Sequence, residues 1–408
     1  MTPFLQLTLL LIIILLAAKI AGYLSIRLGQ PSVLGELIVG ILLGPSLINL
    51  LHLPFIESEV LEETIHFLAE IGVLMLMFIA GLELHLNELR RNTKVAAIAG
   101  TMGVLLPFAA GWGVGLLFGL EQQSAIFLGL TLGATSVSIS AQTLMELKAL
   151  RSRVGLGLLG AAVFDDILVI LFLSIFFALT DGAGNLLSIL IVLARMALFF
   201  TLAMAFGFWA LPRLIRRVRE LPISQNVLIL AIVTMFSYAL AAELVGHMAA
   251  ITGAFLAGLM FGRSPERENL ELRLSALAYG LFVPIFFISI GLSVNIADIL
   301  KGLGLAAAVI VVAIITKILG SGLGARLGGF SWRESWQLGA GMISRGEVGL
   351  IVASVGMQAG LVTDGEFSAI VGMVIVTTLV TPPLLRILFK EPKQAKVESM
   401  PEKAEENA

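Results

Sequence analysis

Thirteen apolar stretches divide this 408-residue chain, and nothing else in the sequence restricts its fold so strongly. They run over approximately 4–23, 33–50, 65–84, 95–118, 124–145, 154–179, 185–212, 222–243, 249–263, 274–294, 302–322, 335–358 and 366–388. A helix rises about 1.5 Å per residue and the hydrocarbon core of a bilayer is about 30 Å thick, so roughly 17–25 apolar residues suffice for one crossing. Only 13% of the residues are charged and the mean hydropathy is +1.01. Soluble domains carry about 25% charged residues, so the apolar excess here must face lipid. The expected fold is an all-α membrane protein of about thirteen transmembrane helices. The first stretch is long enough to be a span, and it reads as the first helix and not as a cleaved leader. Cysteine is absent, which excludes disulfides, thiolate metal sites and thiol catalysis, and a net charge of −2 gives no footprint for nucleic acid.

Positive charge alternates between loops. One set holds Arg27, Arg90/Arg91/Lys94, Lys148/Arg151/Arg153, Arg213/Arg216/Arg217/Arg219, Arg263/Arg267/Arg273, Arg326/Arg333 and the lysines of the tail, whereas the opposite set holds Lys301 alone. Because Lys and Arg are retained in the cytoplasm, the N-terminus is expected outside and the C-terminus inside, in the cell inner membrane. The tail, 389–408, is rich in Glu, Lys and Pro and too poor in apolar residues to bury a core; it is expected to be disordered.

The chain also repeats itself. The segment from Val33 through Gly35, Gly40 and Gly44 overlays Ile251 through Gly253, Gly258 and Gly262 at a constant offset, and Phe78-Ile79-Ala80-Gly81-Leu82 overlays Ile288-Ser289-Ile290-Gly291-Leu292. Spans two to six therefore correspond to nine to thirteen. Corresponding members lie seven spans apart, an odd number, so the two five-helix copies cross the bilayer in opposite directions. That is the inverted-repeat design of secondary carriers.

Ionisable side chains inside spans cost roughly 2.5–3.5 kcal/mol each on insertion scales, so those present are candidates for function. Asp165 and Asp166 stand near the middle of the sixth span. Adjacent helical residues point about 100° apart, so the two carboxylates are expected to divide their work, one holding a counter-charge and one meeting a transported ion. Lys317, isolated in the eleventh span, is the matching cation, and an Asp165–Lys317 ion pair is expected. The fifth span contains Gly133-Ala134-Thr135-Ser136 and the twelfth Gly341-Met342-Ile343-Ser344-Arg345-Gly346-Glu347. Both are breakable: unwinding would free carbonyls for a hard cation, and Arg345 and Glu347 would balance the exposed half-helix ends. Thr135 and Ser136 join the aspartates as candidate ion-binding residues. Glu36 and Arg195 read as scaffold residues that pair with each other or with a neighbouring helix, and His52, His66, His85 and His247 fall near span ends. The Gly320–Gly324 stretch lacks the strand context and lysine of a phosphate loop and reads as helix packing.

Ala134-Thr135-Ser136-Val137 followed by Gly160-Ala161-Ala162-Val163-Phe164-Asp165-Asp166 resembles the monovalent cation/proton antiporter-2 family, especially its NapA-like sodium/proton members. Val33-Leu34-Gly35-Glu36, Phe78–Glu83, Phe282–Phe287 and Lys317 extend the resemblance over nearly the whole chain. It implies a secondary antiporter that exchanges Na+, or Li+, for H+ by elevator-like alternating access, with no cofactor and no enzymatic chemistry. It implies a homodimer in contact with membrane lipid, with crossed, interrupted fifth and twelfth helices. The organisation it implies has scaffold in 1–94, a linker helix and the second part of the scaffold in 181–298, a transport core in 95–180 and 299–388, and the tail 389–408. Asp166 is then the principal Na+- and proton-binding residue, with Asp165 beside it and paired to Lys317. Electroneutral relatives carry Asn where Asp165 stands, and potassium-efflux relatives carry Gln, so Asp165 points to electrogenic exchange. Potassium/proton exchange is the alternative within the family. A sodium-coupled organic-anion symporter is a more distant one, against which Lys317 argues because it competes for the aspartates.

Overall fold

The computed structural model describes residues 2–53, 56, 59–83, 92–180, 186–292 and 303–389. His85, Arg90, Arg91, Asp181, Lys301 and the tail beyond Phe389 lie outside the described residues, and so does the side chain of Glu347. Among the described residues there are seventeen α-helices and no strand. They are α1 (Pro3–Arg27), α2 (Ser32–Leu43), α3 (Glu59–Glu83), α4 (Thr93–Leu117), α5 (Gln122–Gly133), α6 (Val137–Glu146), α7 (Arg153–Thr180), α8 (Leu186–Ala205), α9 (Leu211–Arg219), α10 (Asn226–Leu244), α11 (Ala250–Phe261), α12 (Arg267–Leu277), α13 (Val283–Leu292), α14 (Leu303–Leu327), α15 (Trp332–Gly341), α16 (Glu347–Gln358) and α17 (Asp364–Phe389).

These helices make thirteen passages, ten of them long and apolar enough to cross a membrane as they stand. α8–α9 and α12–α13 are single passages joined by π turns at Phe206–Ala210 and Ala278–Phe282. Each π turn directly precedes a segment with proline near its start, Pro212 and Pro284. Proline cannot donate to the carbonyl four residues back, and a widened turn absorbs that loss. The second passage is shorter than its apolar stretch. Pro45 disfavours helical geometry in the residue before it, and Gly44 is extended with ψ −173°.

The two interrupted passages meet at their breaks. α5 ends at Gly133 and α6 begins at Val137; α15 ends at Gly341 and α16 begins at Glu347. Irregular backbone at membrane depth survives only where protein covers it. Here Thr135 and Ser136 are 3% and 0% exposed, and Ser344 and Arg345 both 0%. Ser136 N donates to Ser344 O at 2.9 Å, tying one break to the other. The Cβ position of Gly346 falls 2.6 Å from Ser136 Cβ, so only a residue without a side chain lets the two breaks cross this closely.

The repeat persists in three dimensions. A constant shift of 210 positions carries the first residues of α4, α5 and α6, namely Thr93, Gln122 and Val137, onto those of α14, α15 and α16, namely Leu303, Trp332 and Glu347. The matched glycines make matched contacts. A Cβ on Gly40 of α2 would fall 2.5 Å from Ile288 O of α13, and one on Gly258 of α11 would fall 2.0 Å from Phe78 O of α3. A Cβ on Gly35 would fall 2.2 Å from Ala21 O of α1, and one on its counterpart Gly253 would fall 2.2 Å from Tyr238 O of α10. Helix α1 therefore stands to α2 as α10 stands to α11. The correspondence runs one helix further than the sequence matches reach, and the α8–α9 passage is the odd one between the copies. With no hydrophobic drive between helices in lipid, close backbone approach at small residues is what holds them. The same device joins α4 to α14, where Gly320 and Gly324 sit against the backbone of Met102, Ile98 and Ala99.

Candidate functional site

The site grows from backbone groups that the helices cannot satisfy themselves. Pro107 lies inside α4, and its missing N–H leaves Gly103 O without the usual partner four residues on. The end of α5 leaves Leu132 O and Gly133 O free in the same way. Two buried cations fill these positions. Lys317 Nζ donates to Gly103 O at 2.7 Å, to Gly133 O at 3.0 Å and to Asp165 Oδ1 at 2.8 Å. An ammonium has three donors, and all three are used. Arg345 Nη2 donates to Leu132 O at 2.6 Å and Nη1 to Met342 O at 3.3 Å, so one guanidinium bridges the C-terminal ends of α5 and α15. Cations are stabilised at helix C-termini, where unpaired carbonyls concentrate negative charge. The Arg345 backbone is held on both sides by α17, its N–H donating to Thr377 Oγ1 at 3.3 Å and its carbonyl accepting from Thr378 Oγ1 at 2.6 Å.

Asp165 and Lys317 are both fully buried. Thr135 lies beside the Asp165 carboxyl, but no hydrogen bond of ordinary geometry closes, and Asp165 Oδ2 and Thr135 Oγ1 are left unbonded. The neighbouring carboxylate turns elsewhere. Asp166, 6% exposed, accepts from Thr252 Oγ1 of α11 through Oδ2 at 3.1 Å and lines a small cavity. The cavity lies between α6 and α7 on one side and α3 and α11 on the other. One residue of sequence thus separates a carboxylate held in an ion pair from one that faces a cavity.

Of the residues singled out from sequence, Asp165, Lys317, Thr135 and Arg345 converge around the end of α5. Ser136 belongs to the contact between the two breaks, and Asp166 faces the cavity. The carbonyls of Leu132 and Gly133, which unwinding was expected to free for a cation, are taken by Arg345 and Lys317. Glu36 and Arg195 do not meet. Glu36 of α2 lies in the field of Lys19 and Glu146, while Arg195 contacts His247. The sequence reading passed over Gly103, Pro107 and Thr252. A proline four residues after a glycine inside an apolar span was a legible signal for the first two; Thr252 gave none, since only the tertiary placement of α11 on α3 and α10 brings it to Asp166.

Three comparisons bear on this arrangement. The sequence matches the family described as sodium/hydrogen exchanger, transmembrane, over residues 12–391. It is 42% identical over 377 residues to the Na(+)/H(+)-K(+) antiporter GerN of Bacillus cereus, covering 92% of this chain and 95% of that protein. It is 34% identical over 382 residues to a Na(+)/H(+) antiporter of Enterococcus hirae, covering 93% and 97%. The fold is similar to the structure of the sodium proton antiporter MjNhaP1 from Methanocaldococcus jannaschii, with TM-score 0.67 at 17% identity, covering 95% of this chain and 99% of that one.

Proposed function

The chain belongs to the transmembrane sodium/hydrogen exchanger family and is a Na+/H+ antiporter, and from that premise we propose that Asp166 alternately binds the cation and the proton while Asp165 serves as the fixed partner of Lys317. The observation that carries this reading is the divergence of the two adjacent carboxylates: Lys317 engages Asp165, and Asp166 faces the cavity. A carboxylate that a proton or a cation can neutralise, but that cannot hold both, makes the two mutually exclusive. Exclusion of this kind is what couples their opposite movements.

The chain divides into a moving core, α4–α7 with α14–α17, and a static scaffold, α1–α3 with α8–α13. Supporting this is the seam itself, since the Asp166 cavity lies between helices of the two groups. Reorientation of the core would carry the loaded site across the bilayer, and an ionised, empty Asp166 would hold it back. The scaffold would pair with that of a second copy. The loop charges favour an inner-membrane protein with its N-terminus outside and C-terminus in the cytoplasm. NapA-like antiporter-2 character, read from Asp165-Asp166, favours two protons for each Na+. One net charge would then move per cycle, worth about 2.3 kcal/mol per 100 mV. The likeness to GerN, a Na(+)/H(+)-K(+) antiporter, favours K+ as a second cargo.

Proton flux from proteoliposomes on addition of Na+, Li+ or K+, with the membrane potential clamped and unclamped, tests the reading. Na+- or Li+-evoked flux that responds to the clamp and is lost in Asp166→Asn supports it. Flux evoked by K+ alone changes the cargo, and the absence of any cation-evoked flux overturns the antiporter function.

A further inference from the structure

The cavity beside Asp166 is poor in oxygen. Among the described residues that line it, only Asp166 and Thr252 carry a polar side-chain atom, and the others, such as Met77, Val137, Leu159, Val163, Ile251 and Phe255, are apolar. A hard monovalent cation that enters must exchange part of its water shell for oxygen ligands, and one carboxylate is a sparse supply.

Thr252 is freed for such a task by its place in α11. Four other buried helical threonines, Thr131, Thr143, Thr377 and Thr381, turn their hydroxyls back onto the carbonyl four residues before at 2.7–3.1 Å, whereas Thr378 reaches across to Arg345 O. Thr252 is the third residue of α11, and four positions back is Met248, outside the helix. Its hydroxyl has no helical carbonyl beneath it and reaches across to Asp166 Oδ2 at 3.1 Å. A hydroxyl that donates its single proton keeps two acceptor lone pairs, here within a cavity that a cation bound to Asp166 would share. The glycine contacts hold this geometry. Gly253 sits on Tyr238 O and Gly258 on Phe78 O, which draws α11 down to backbone contact with α10 and α3 and sets the depth of Thr252.

We propose that Thr252 is a ligand of the transported monovalent cation, supplying from α11 a second oxygen-bearing side chain at the Asp166 site. The proposal rests on the reading of Asp166 as the ion-binding carboxylate. It makes cation affinity a property of the seam in the orientation the structure shows: α7 contributes a carboxylate that moves with the core, and α11 a hydroxyl that the cation leaves when the core reorients.

The test compares wild type, Thr252→Val, which keeps the shape and removes the oxygen, and Thr252→Ser, which keeps the oxygen. Na+-evoked proton flux from proteoliposomes gives apparent KM and maximal rate for each. Loss of an interaction with a charged group worth about 1.5 kcal/mol is close to tenfold in affinity. Thr252→Val should raise the Na+ KM about tenfold with the maximal rate within about twofold, and Thr252→Ser should stay within about twofold of wild type in both. A wild-type KM in Thr252→Val overturns the proposal, as does a fall in maximal rate alone in both variants. If Thr252→Val gives no flux, the Na+ concentration that raises the melting temperature of the purified protein decides: about tenfold higher than wild type supports the ligand role, and an unchanged concentration overturns it. Wild type without cation-evoked flux would overturn the antiporter reading itself, a result distinct from all of these.

Discussion

Lys317 Nζ lies 2.8 Å from Asp165 Oδ1 with both side chains at 0% exposure, and the same ammonium holds the carbonyls of Gly103 on α4 and Gly133 at the end of α5. The ion pair is therefore also a structural joint between α4, α5, α7 and α14. Breaking one half leaves the other charge buried without its counter-ion, which costs about 3–5 kcal/mol in comparable buried pairs. Lys317→Met should lower the melting temperature in detergent strongly. Lys317→Met with Asp165→Asn should recover part of the loss and not all, because the two carbonyls remain unbonded. Equal melting temperatures for the single and double variants would contradict a coupled pair.

Asp166 stands outside that joint. Asp166→Asn keeps an oxygen able to accept from Thr252, so the purified variant should melt within a few degrees of wild type. It should lose both Na+-evoked flux and the rise in melting temperature on adding Na+. A variant that is inactive because it is unfolded would be seen in the melting curve.

Arg345 spans the ends of α5 and α15 with two guanidinium nitrogens, which no ammonium can reproduce as one planar group. Arg345→Lys should retain some transport at reduced stability, and Arg345→Met should lose more of both, because buried carbonyls left unbonded cost about 1–3 kcal/mol each. Transport rate and melting temperature, measured on the same preparations, check the order wild type, Lys, Met.

Two glycine substitutions should have opposite outcomes. A methyl on Gly258 would fall 2.0 Å from Phe78 O, a backbone atom that cannot step aside, so Gly258→Ala should force α11 from α3. It should cost about 1–3 kcal/mol, as overpacked cores do, and raise the Na+ KM by moving Thr252. Gly113 in α4 has nothing within 4 Å of its Cβ position, and Gly113→Ala should be neutral or stabilising by about 0.5–1 kcal/mol. Melting temperatures of the two variants beside wild type test the contrast.

Much of this protein was legible before any coordinate. Span length and charge density define an all-helical membrane chain because lipid can satisfy no backbone hydrogen bond, leaving the helix as its local solution. The glycine register exposes the repeat because backbone contact at fixed depths admits no side chain. Asp165, Asp166 and Lys317 stand out because charge inside a span is costly enough to need a reason. What sequence could not assign was partnership. Asp165 and Asp166 are the same residue type one position apart, and only the placement of α14 and α11 gives one to Lys317 and the other to Thr252. Nor could it decide where the unwound carbonyls of α5 go, since Lys317 and Arg345 reach them from positions 184 and 213 residues away. The physical reason is range. Hydropathy and backbone sterics act within a few residues and are written along the chain, whereas the pairing of buried charges depends on polar atoms of distant helices brought within about 3 Å by packing, which no local pattern records.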